Sequence, residues 1–320
     1  MTSQPMPLSG APAVPMQWGV EHLWQRLEPL LPGLSIEVVA RSSSTNTALL
    51  ERARVARSPE EDNGSVLVRR SVESAAFGRR AADVQPCLLV AEHQTGGRGR
   101  HGRSWQAAPG ASLTFSLALP LDPADWSGLS LALGVTLAEA LEPAPGGLAR
   151  IGLKWPNDLW LMDAGDDGVQ RGRKLGGILI ETVAAGARRL AVIGIGLNVA
   201  PMRTTDTSSG FGCLQELDPG MTPPLALARI ALPLVEALKR FEREGFAPFE
   251  AAYARRDLLL GQAVRTTQPG VAGGVARGVT SLGALLVETP EGLVSVASGE
   301  VTVRLGTGDA GSTGPGELPC

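Results

Sequence analysis

Ser112-Leu113-Thr114-Phe115-Ser116-Leu117-Ala118-Leu119 places Leu113, Phe115, Leu117 and Leu119 at every second position, with small residues between them. That period belongs to a strand, whose successive side chains leave on opposite faces, and not to a helix. The assignment matters because of what precedes it. Gln94-Thr95-Gly96-Gly97-Arg98-Gly99-Arg100-His101-Gly102-Arg103-Ser104-Trp105 contains Gly97-x-Gly99-x-x-Gly102, which formally satisfies a dinucleotide fingerprint. Such a fingerprint needs a helix directly after its glycines, with the N-terminus facing a pyrophosphate. Pro109-Gly110 and then the 112–119 strand stand there instead, so a Rossmann dehydrogenase is excluded. What remains is an anion-binding loop. Arg98, Arg100 and Arg103 repel one another unless an anion sits among them, and glycines let backbone N–H groups approach it. Trp105 offers an apolar face on which a base can stack.

Outward from the loop, 87–91 is a short apolar run and reads as a buried strand leading into it. Upstream, a helical pattern covers 16–31, with Trp18, Leu23, Trp24, Leu27 and Leu31 roughly on one face and Pro32-Gly33 as its stop. An alternating strand follows at 34–40. A polar turn at 42–46 then caps a helix starting near Thr45. Residues 58–84 are charged and weakly patterned, as in a surface insertion. Downstream come a helix at 130–141 and a strand at 149–154. Hairpin arms follow at 159–162 and 175–183, around a polar segment at 163–172. A strand at 190–199, a long helix at 225–244 and a shorter helix through Phe249 and Tyr253 complete this part. These elements predict an α+β domain with a mixed or antiparallel sheet flanked by helices. Beyond about residue 260 the texture changes to short β runs at 263–267, 274–279, 284–288, 293–297 and 301–304, separated by Gly and Pro turns. That spacing predicts a small appended β-barrel.

Composition narrows the function. A hydrophobic content of 43% and a charged content of 19% describe a globular chain, and a net charge of −3 provides no global attraction to nucleic acid or membrane. Cationic function must therefore be local. Cys87, Cys213 and Cys320 are odd in number and widely spaced, which favours a reducing cytosol over a disulfide framework. His22, His93 and His101 lack zinc-ligand spacing. No apolar stretch is long enough to span a bilayer, and the expected location is the cytoplasm.

Three further motifs carry chemistry. Lys154-Trp155-Pro156-Asn157-Asp158 follows a strand. It can be a plain β-turn, but Lys can hold a phosphate, and Asn and Asp supply hard oxygen ligands for Mg²⁺. Lys174-Leu175-Gly176-Gly177-Ile178-Leu179 puts a glycine pair inside a strand, which marks close approach by a ligand or another backbone. Gly194-Ile195-Gly196-Leu197-Asn198-Val199 is apolar except for Asn198.

In this order, and with Ser44-Thr45-Asn46 upstream, these motifs closely resemble those of the biotin protein ligases. Gly283-Ala284-Leu285-Leu286 and the stretch Gly299-Glu300-Val301-Thr302-Val303-Arg304 resemble that family's C-terminal barrel, so the likeness spans roughly residues 35–304. The resemblance implies a ligase domain like that of class II aminoacyl-tRNA synthetases, with a small SH3-like β-barrel. It implies activation of biotin with MgATP to biotinyl-5′-AMP, and transfer of biotin to a lysine of a biotin carboxyl carrier protein domain of acetyl-CoA or a related carboxylase.

By the same resemblance, Ser44, Thr45, Asn46 and Gln94 line the biotin pocket. The backbone of Gly97, Arg98, Gly99 and Arg100 wraps the biotin carboxylate, with Gly177 nearby. Lys174 bridges carboxylate and α-phosphate, so that Lys174, Arg100 and Asp158 are the catalytic candidates. Arg100, Arg103, Trp105, Lys154, Asn157, Asp158, Asn198 and Arg304 hold ATP or the adenylate. Mg²⁺ is held through the ATP phosphates, with Asp158 as a candidate ligand.

The implied division is a flexible extension with a helix at 1–33, a catalytic domain at 34–260, a small barrel at 261–306 and a flexible tail at 307–320. Bifunctional family members place a winged helix-turn-helix of about sixty residues before the Ser-Thr-Asn motif. Only 43 residues precede Ser44 here, many of them Pro-rich, so a monofunctional ligase without DNA binding is expected, a homodimer being left open. Two rivals are weighed against this reading. A lipoate or octanoate ligase is disfavoured by the Arg/Gly loop together with Lys154–Asp158. A nucleic-acid-binding regulator lacks a second basic patch or a stacking platform.

Overall fold

The structure, a computed structural model, describes residues 16–55, 75–77, 85–142, 149–163, 171–185, 188–204, 209–297 and 304–305. The expected N-terminal extension before residue 16, most of segment 58–84, most of the 163–172 insert and the C-terminal tail lie outside the described residues.

Helix α1 (Val20–Leu27) is shorter than the 16–31 pattern, because Gly19 enters it in a left-handed conformation (φ 58°). Strand β1 (Ser35–Ser42) runs into helix α2 (Thr45–Val55), and Ser44 accepts a hydrogen bond from the Thr47 N–H in the manner of a helix N-cap. A three-residue strand β2 (Ala75–Phe77) pairs with β1 from inside the expected insertion. Strand β3 (Cys87–Gln94) is followed by the ribbon β4 (Gly97–Arg98) and β5 (Ser104–Trp105), and then by β6 (Ser112–Pro120).

Helix α3 (Leu129–Leu141) leads to β7 (Ile151–Lys154), β8 (Asp158–Asp163), β9 (Arg171–Ala185) and β10 (Arg188–Asn198). The long helix α4 (Pro223–Glu244) has Thr222 as N-cap, Pro223 in its first turn and Gly245 (φ 66°) after its last residue. Helix α5 (Glu250–Ala254) follows.

Eight strands form one mixed sheet in the order β2-β1-β3-β6-β10-β9-β8-β7. Among the described residues its one parallel pairing joins β1 to β3, and the remaining neighbours are antiparallel. The two faces of this sheet are covered differently. On one, Leu113, Phe115, Leu117, Ile193, Ile195 and Leu197 are buried in a continuous core with α1, α3 and α4. Helix α3 is apolar nearly all round because it is packed between the sheet and α4, as expected of a fully enclosed helix. On the other face, among the described residues, α2 provides the cover, through Leu49, Leu50 and Ala53 against Cys87, Leu89, Ala118, Val183, Leu190 and Val192.

Beyond α5, strands β11 (Ala263–Arg265), β12 (Gly273–Val279), β13 (Leu285–Thr289), β14 (Gly292–Val296) and β15 (Arg304–Leu305) form an antiparallel sheet in the order β14-β13-β12-β11-β15. Among the described residues no pairing joins β14 to β15, and the five strands form the small antiparallel sheet domain that the sequence predicts. Val264, Ala276, Leu285, Val287 and Val296 belong to the same buried cluster as the large domain. Two contacts tie β7 and the turn after it to the small sheet and to the segment leading into it. The Trp155 indole donates to the Gly283 carbonyl (3.0 Å), and Asp257 bridges to Leu153.

Candidate active site

The pairing register explains where a cleft opens. Along the face that carries α2, β10 presents Leu190, Val192, Gly194, Gly196 and Asn198 in turn. Their cross-strand partners on β6 are Pro120, Ala118, Ser116, Thr114 and Ser112. The first positions are apolar and lie under the helix. Past its N-terminus the face becomes glycine and hydroxyl. A cleft of about 820 Å³ occupies this uncovered stretch, lined among others by Ser44, Thr45, Asn46, Gln94, Arg98, Gly99, Arg100, Arg103 and Trp105 from one side. Lys154, Asn157, Asp158, Lys174, Gly177 and Asn198 line the other.

At the floor, the Thr45 N–H and hydroxyl approach Gln94 Oε1 at 2.9 and 3.2 Å, which leaves the Gln94 amino group to donate elsewhere. Ser116 Oγ lies 2.6 Å from both Thr45 Oγ1 and Asn46 Oδ1. The Asn46 amino group donates to the Leu179 carbonyl (3.2 Å) and to Glu181 Oε2 (3.0 Å). Apart from Glu181 these are neutral polar groups held with little freedom, and Ser44, Thr45, Asn46, Gln94 and Ser116 are all over nine-tenths buried. Gly194 makes room for them, since a Cβ there would sit 2.2 Å from Asn46 Oδ1. Two positions further along, a Cβ on Gly196 would meet the Trp105 indole at 2.6 Å. The Gly-x-Gly of β10 is thus two close approaches on one face.

Above the floor the cleft is cationic. Lys174 Nζ is 2.9 Å from Asp158 Oδ1, and Gly177 keeps the space beside that carboxylate open. Burial holds the Arg100 guanidinium below its usual pKa. The nearby Asp158 charge counters this and the Arg103 charge adds to it, so all three groups share one field. Lys154 Nζ stands 4.7 Å over the Trp160 ring. His101 and Gly102 turn the loop tip with left-handed φ of 53° and 74°.

Several expected ligand groups have different partners. Arg98, expected to offset phosphate charge, pairs with Glu181 (2.8 Å) and donates to Thr47 Oγ1 (3.1 Å). Gly97 serves packing within the loop: a Cβ would lie 2.5 Å from the Trp105 carbonyl and 2.7 Å from the Gln94 amide. The Asn157 amide closes its turn on the Ile178 carbonyl (2.8 Å). The Asn198 amide donates to the Lys174 and Gly212 carbonyls (3.1 and 3.0 Å), anchoring the strand that carries Lys174. Arg304 pairs through its backbone with Arg265, and its side chain lies outside the described residues. Ser116, Glu181, Gly194, Gly196 and Trp160 received no site role of their own from the sequence. For the first four, the signal was available only as polar or glycine positions sharing one face of adjacent strands.

Two family profiles match the chain: the biotin/lipoate A/B protein ligase family over residues 80–198, and the biotin protein ligase C terminal domain over residues 259–304. The biotin--[acetyl-CoA-carboxylase] ligase of Mycobacterium tuberculosis is 32% identical over 284 residues, covering 83% of this chain and 88% of that protein. The chain belongs to the biotin protein ligase family. The bifunctional ligase/repressor BirA of Salmonella typhimurium is 35% identical over 225 residues, 67% of this chain and 66% of its own length. The chain thus spans just under two thirds of that relative. Among solved structures, biotin protein ligase from Aquifex aeolicus in complex with biotin and ATP superposes with a TM-score of 0.61 at 26% identity, over 85% of this chain and 99% of that one.

Proposed function

We propose that the chain joins biotin to ATP as biotinyl-5′-AMP and then hands the biotinyl group to a lysine of a biotin carboxyl carrier protein domain. The observation that carries this reading is the charge of one cleft. Its lining holds Arg100, Arg103, Lys154 and Lys174 with Asp158 as the carboxylate among them, while Arg98 is paired with Glu181, directly beside the polar pocket of Ser44, Thr45, Asn46 and Gln94. In the first step a carboxylate oxygen of biotin attacks the α-phosphorus and pyrophosphate departs. Two anions must meet, and fixed cations in a partly desolvated cleft offset their repulsion. Lys174, held by Asp158, would bridge them, and Arg100, whose charge senses the same Asp158, would assist; the Lys174–Asp158 pair at the cleft supports this assignment.

The neutral ureido ring would take the pocket of Ser44, Thr45, Asn46 and Gln94, where the Gln94 amino group is an available donor. In the second step the acceptor amine attacks the acyl carbon and AMP leaves, with Asp158 orienting the amine. Catalysis is positioning plus charge stabilisation, with no covalent enzyme intermediate. Trp105, Arg103, Lys154, Asn157, Asn198 and Arg304 are assigned to the nucleotide side. Asn157 and Asn198 would act there by fixing backbone.

Magnesium accompanies ATP in this reading. Among the described residues no group of three His, Cys, Asp or Glu side chains is suited to a metal, and Asp158 is the one carboxylate of the cleft. That donor set fits an ion carried chiefly on the nucleotide phosphates, where it would neutralise charge, with Asp158 as a protein oxygen. Residues 34–260 are assigned to catalysis and 261–306 to the small domain that buttresses the Trp155 turn. The acceptor is assigned to acetyl-CoA or a related carboxylase, and the reaction to the cytoplasm. No helix among the described residues is long and apolar enough to cross a membrane.

The test is ATP–pyrophosphate exchange with biotin or lipoate as the acid, followed by biotin labelling of a carrier domain. Exchange with biotin is expected. Exchange with lipoate alone overturns the proposal.

A further inference from the structure

Glu181 is not among the residues that the ligase reading assigns, yet it touches two parts of the site at once. Oε1 receives the Arg98 guanidinium at 2.8 Å, and Oε2 receives the Asn46 amino group at 3.0 Å. Arg98 lies on β4, whose partner β5 ends in Trp105, with the pairs Gly97–Trp105 and Arg98–Ser104. Asn46 lies on the pocket floor, clamped between Glu181, the Leu179 carbonyl and Ser116. Glu181 itself is on β9 opposite Val192, inside the rigid sheet. One fixed carboxylate therefore joins the floor of the polar pocket to the arginine/glycine ribbon that covers it.

We infer that Glu181 is a positioning residue that latches the ribbon over the bound acid through Arg98 while orienting Asn46 beneath it. The inference rests on the ligase reading and adds to it a link between pocket and cover. The pairing is asymmetric in a useful way. The Arg98 end is half exposed, with side-chain exposures of 45% for Arg98 and 24% for Glu181, so it can open to admit a ligand. The Asn46 end is buried and stays made. Ordering at the floor is thereby transmitted to the cover without the latch residue touching the reacting atoms.

The experiment uses the full chain and three variants, Glu181→Gln, Arg98→Gln and the double substitution. Glutamine at 181 retains an acceptor for Asn46 but removes the charge that holds Arg98. Three quantities are read: biotin affinity by titration, release of preformed biotinyl-AMP, and the rate of tryptic cleavage at the ribbon arginines with and without biotin. Each single variant is expected to release the adenylate about tenfold faster, the loss of one charge-assisted hydrogen bond. Each is also expected to lose the protection from trypsin that biotin gives the wild type. The double variant should be no worse than the worse single one, because both remove the same interaction.

If the wild type binds biotin but all three variants release and digest like it, the latch is overturned. Additive effects in the double variant overturn it as well. If the wild type does not bind biotin, the ligase reading has failed first. Should Glu181→Gln lose its fold by circular dichroism, Arg98→Gln, altered at the exposed end, decides alone by the same two readouts.

Discussion

On β10, Ala191, Ile193, Ile195 and Leu197 look toward α3 and α4, while Val192, Gly194, Gly196 and Asn198 look toward α2 and the cleft. The first set fills space, while in the second Val192 packs under α2 and Gly194 and Gly196 leave room for Asn46 and Trp105. Neighbouring residues of one strand thus serve stability and recognition separately, which a period of two permits and a helix would not. The apolar face is complete along the whole strand. Among the described residues the other face is covered only as far as α2 reaches, and the cleft lies on the stretch that the helix leaves bare.

The sharpest way to break this division is to substitute the two sides one residue apart. Ile193→Ala, at a fully buried position, is expected to lower unfolding free energy by about 2–5 kcal/mol, the usual range for such truncations. Its adenylation rate, measured well below the new melting temperature, should stay near wild type. A large loss of rate at full folding would show that the faces are coupled.

Next in size, Lys174→Ala should slow the first half-reaction about 10²–10³-fold, the range for removing one fixed group that stabilises developing charge. Its Nζ lies at the cleft and its backbone is held independently by Asn198 and Gly212, so thermal denaturation should change little. A comparable fall in melting temperature would recast Lys174 as a structural partner of Asp158.

Gly194→Ala should act in the opposite sense to Ile193→Ala. Its new methyl meets Asn46 Oδ1, and overpacking of this kind costs about 1–3 kcal/mol. Because the group displaced belongs to the pocket floor, the change should appear as a raised KM for biotin with kcat nearly kept. An unchanged KM would remove Asn46 from the binding pocket.

Much of this contrast was legible in the sequence. The alternation of 112–119, the helix beginning at Thr45 and the apolar run of 190–199 each depend on local periodicity, and each appears with boundaries shifted by a few residues. The clustering of Lys174 with Asp158 followed from ordered motifs. What could not be read were long-range partners. The pairing of Arg98 with Glu181 was invisible because the two lie 83 residues apart in sequence. Gly194 and Gly196 looked merely apolar because the atoms they accommodate, in Asn46 and Trp105, arrive from other elements. Glycine spacing announces that something approaches closely, but the fold decides what.

The apolar side has one feature that tests the contrast by pH. Asp257, at the edge of the core beside the Tyr253 hydroxyl, has its carboxyl pKa raised, chiefly by burial, although the Leu259 N–H bonds to it at 2.9 Å. A folded-state pKa above the unfolded value means that the native state prefers the protonated acid. Its favourable contribution is then full below the unfolded pKa and is lost as pH rises through the folded one. The melting temperature of Asp257→Asn, which keeps an oxygen for Leu259, should therefore match the wild type at acidic pH. It should exceed the wild type increasingly as the carboxyl ionises, reaching a constant gap at neutral pH. A gap that is independent of pH would show that the Asp257 charge is solvated, and would place this junction with the wet face of the sheet instead of the dry one.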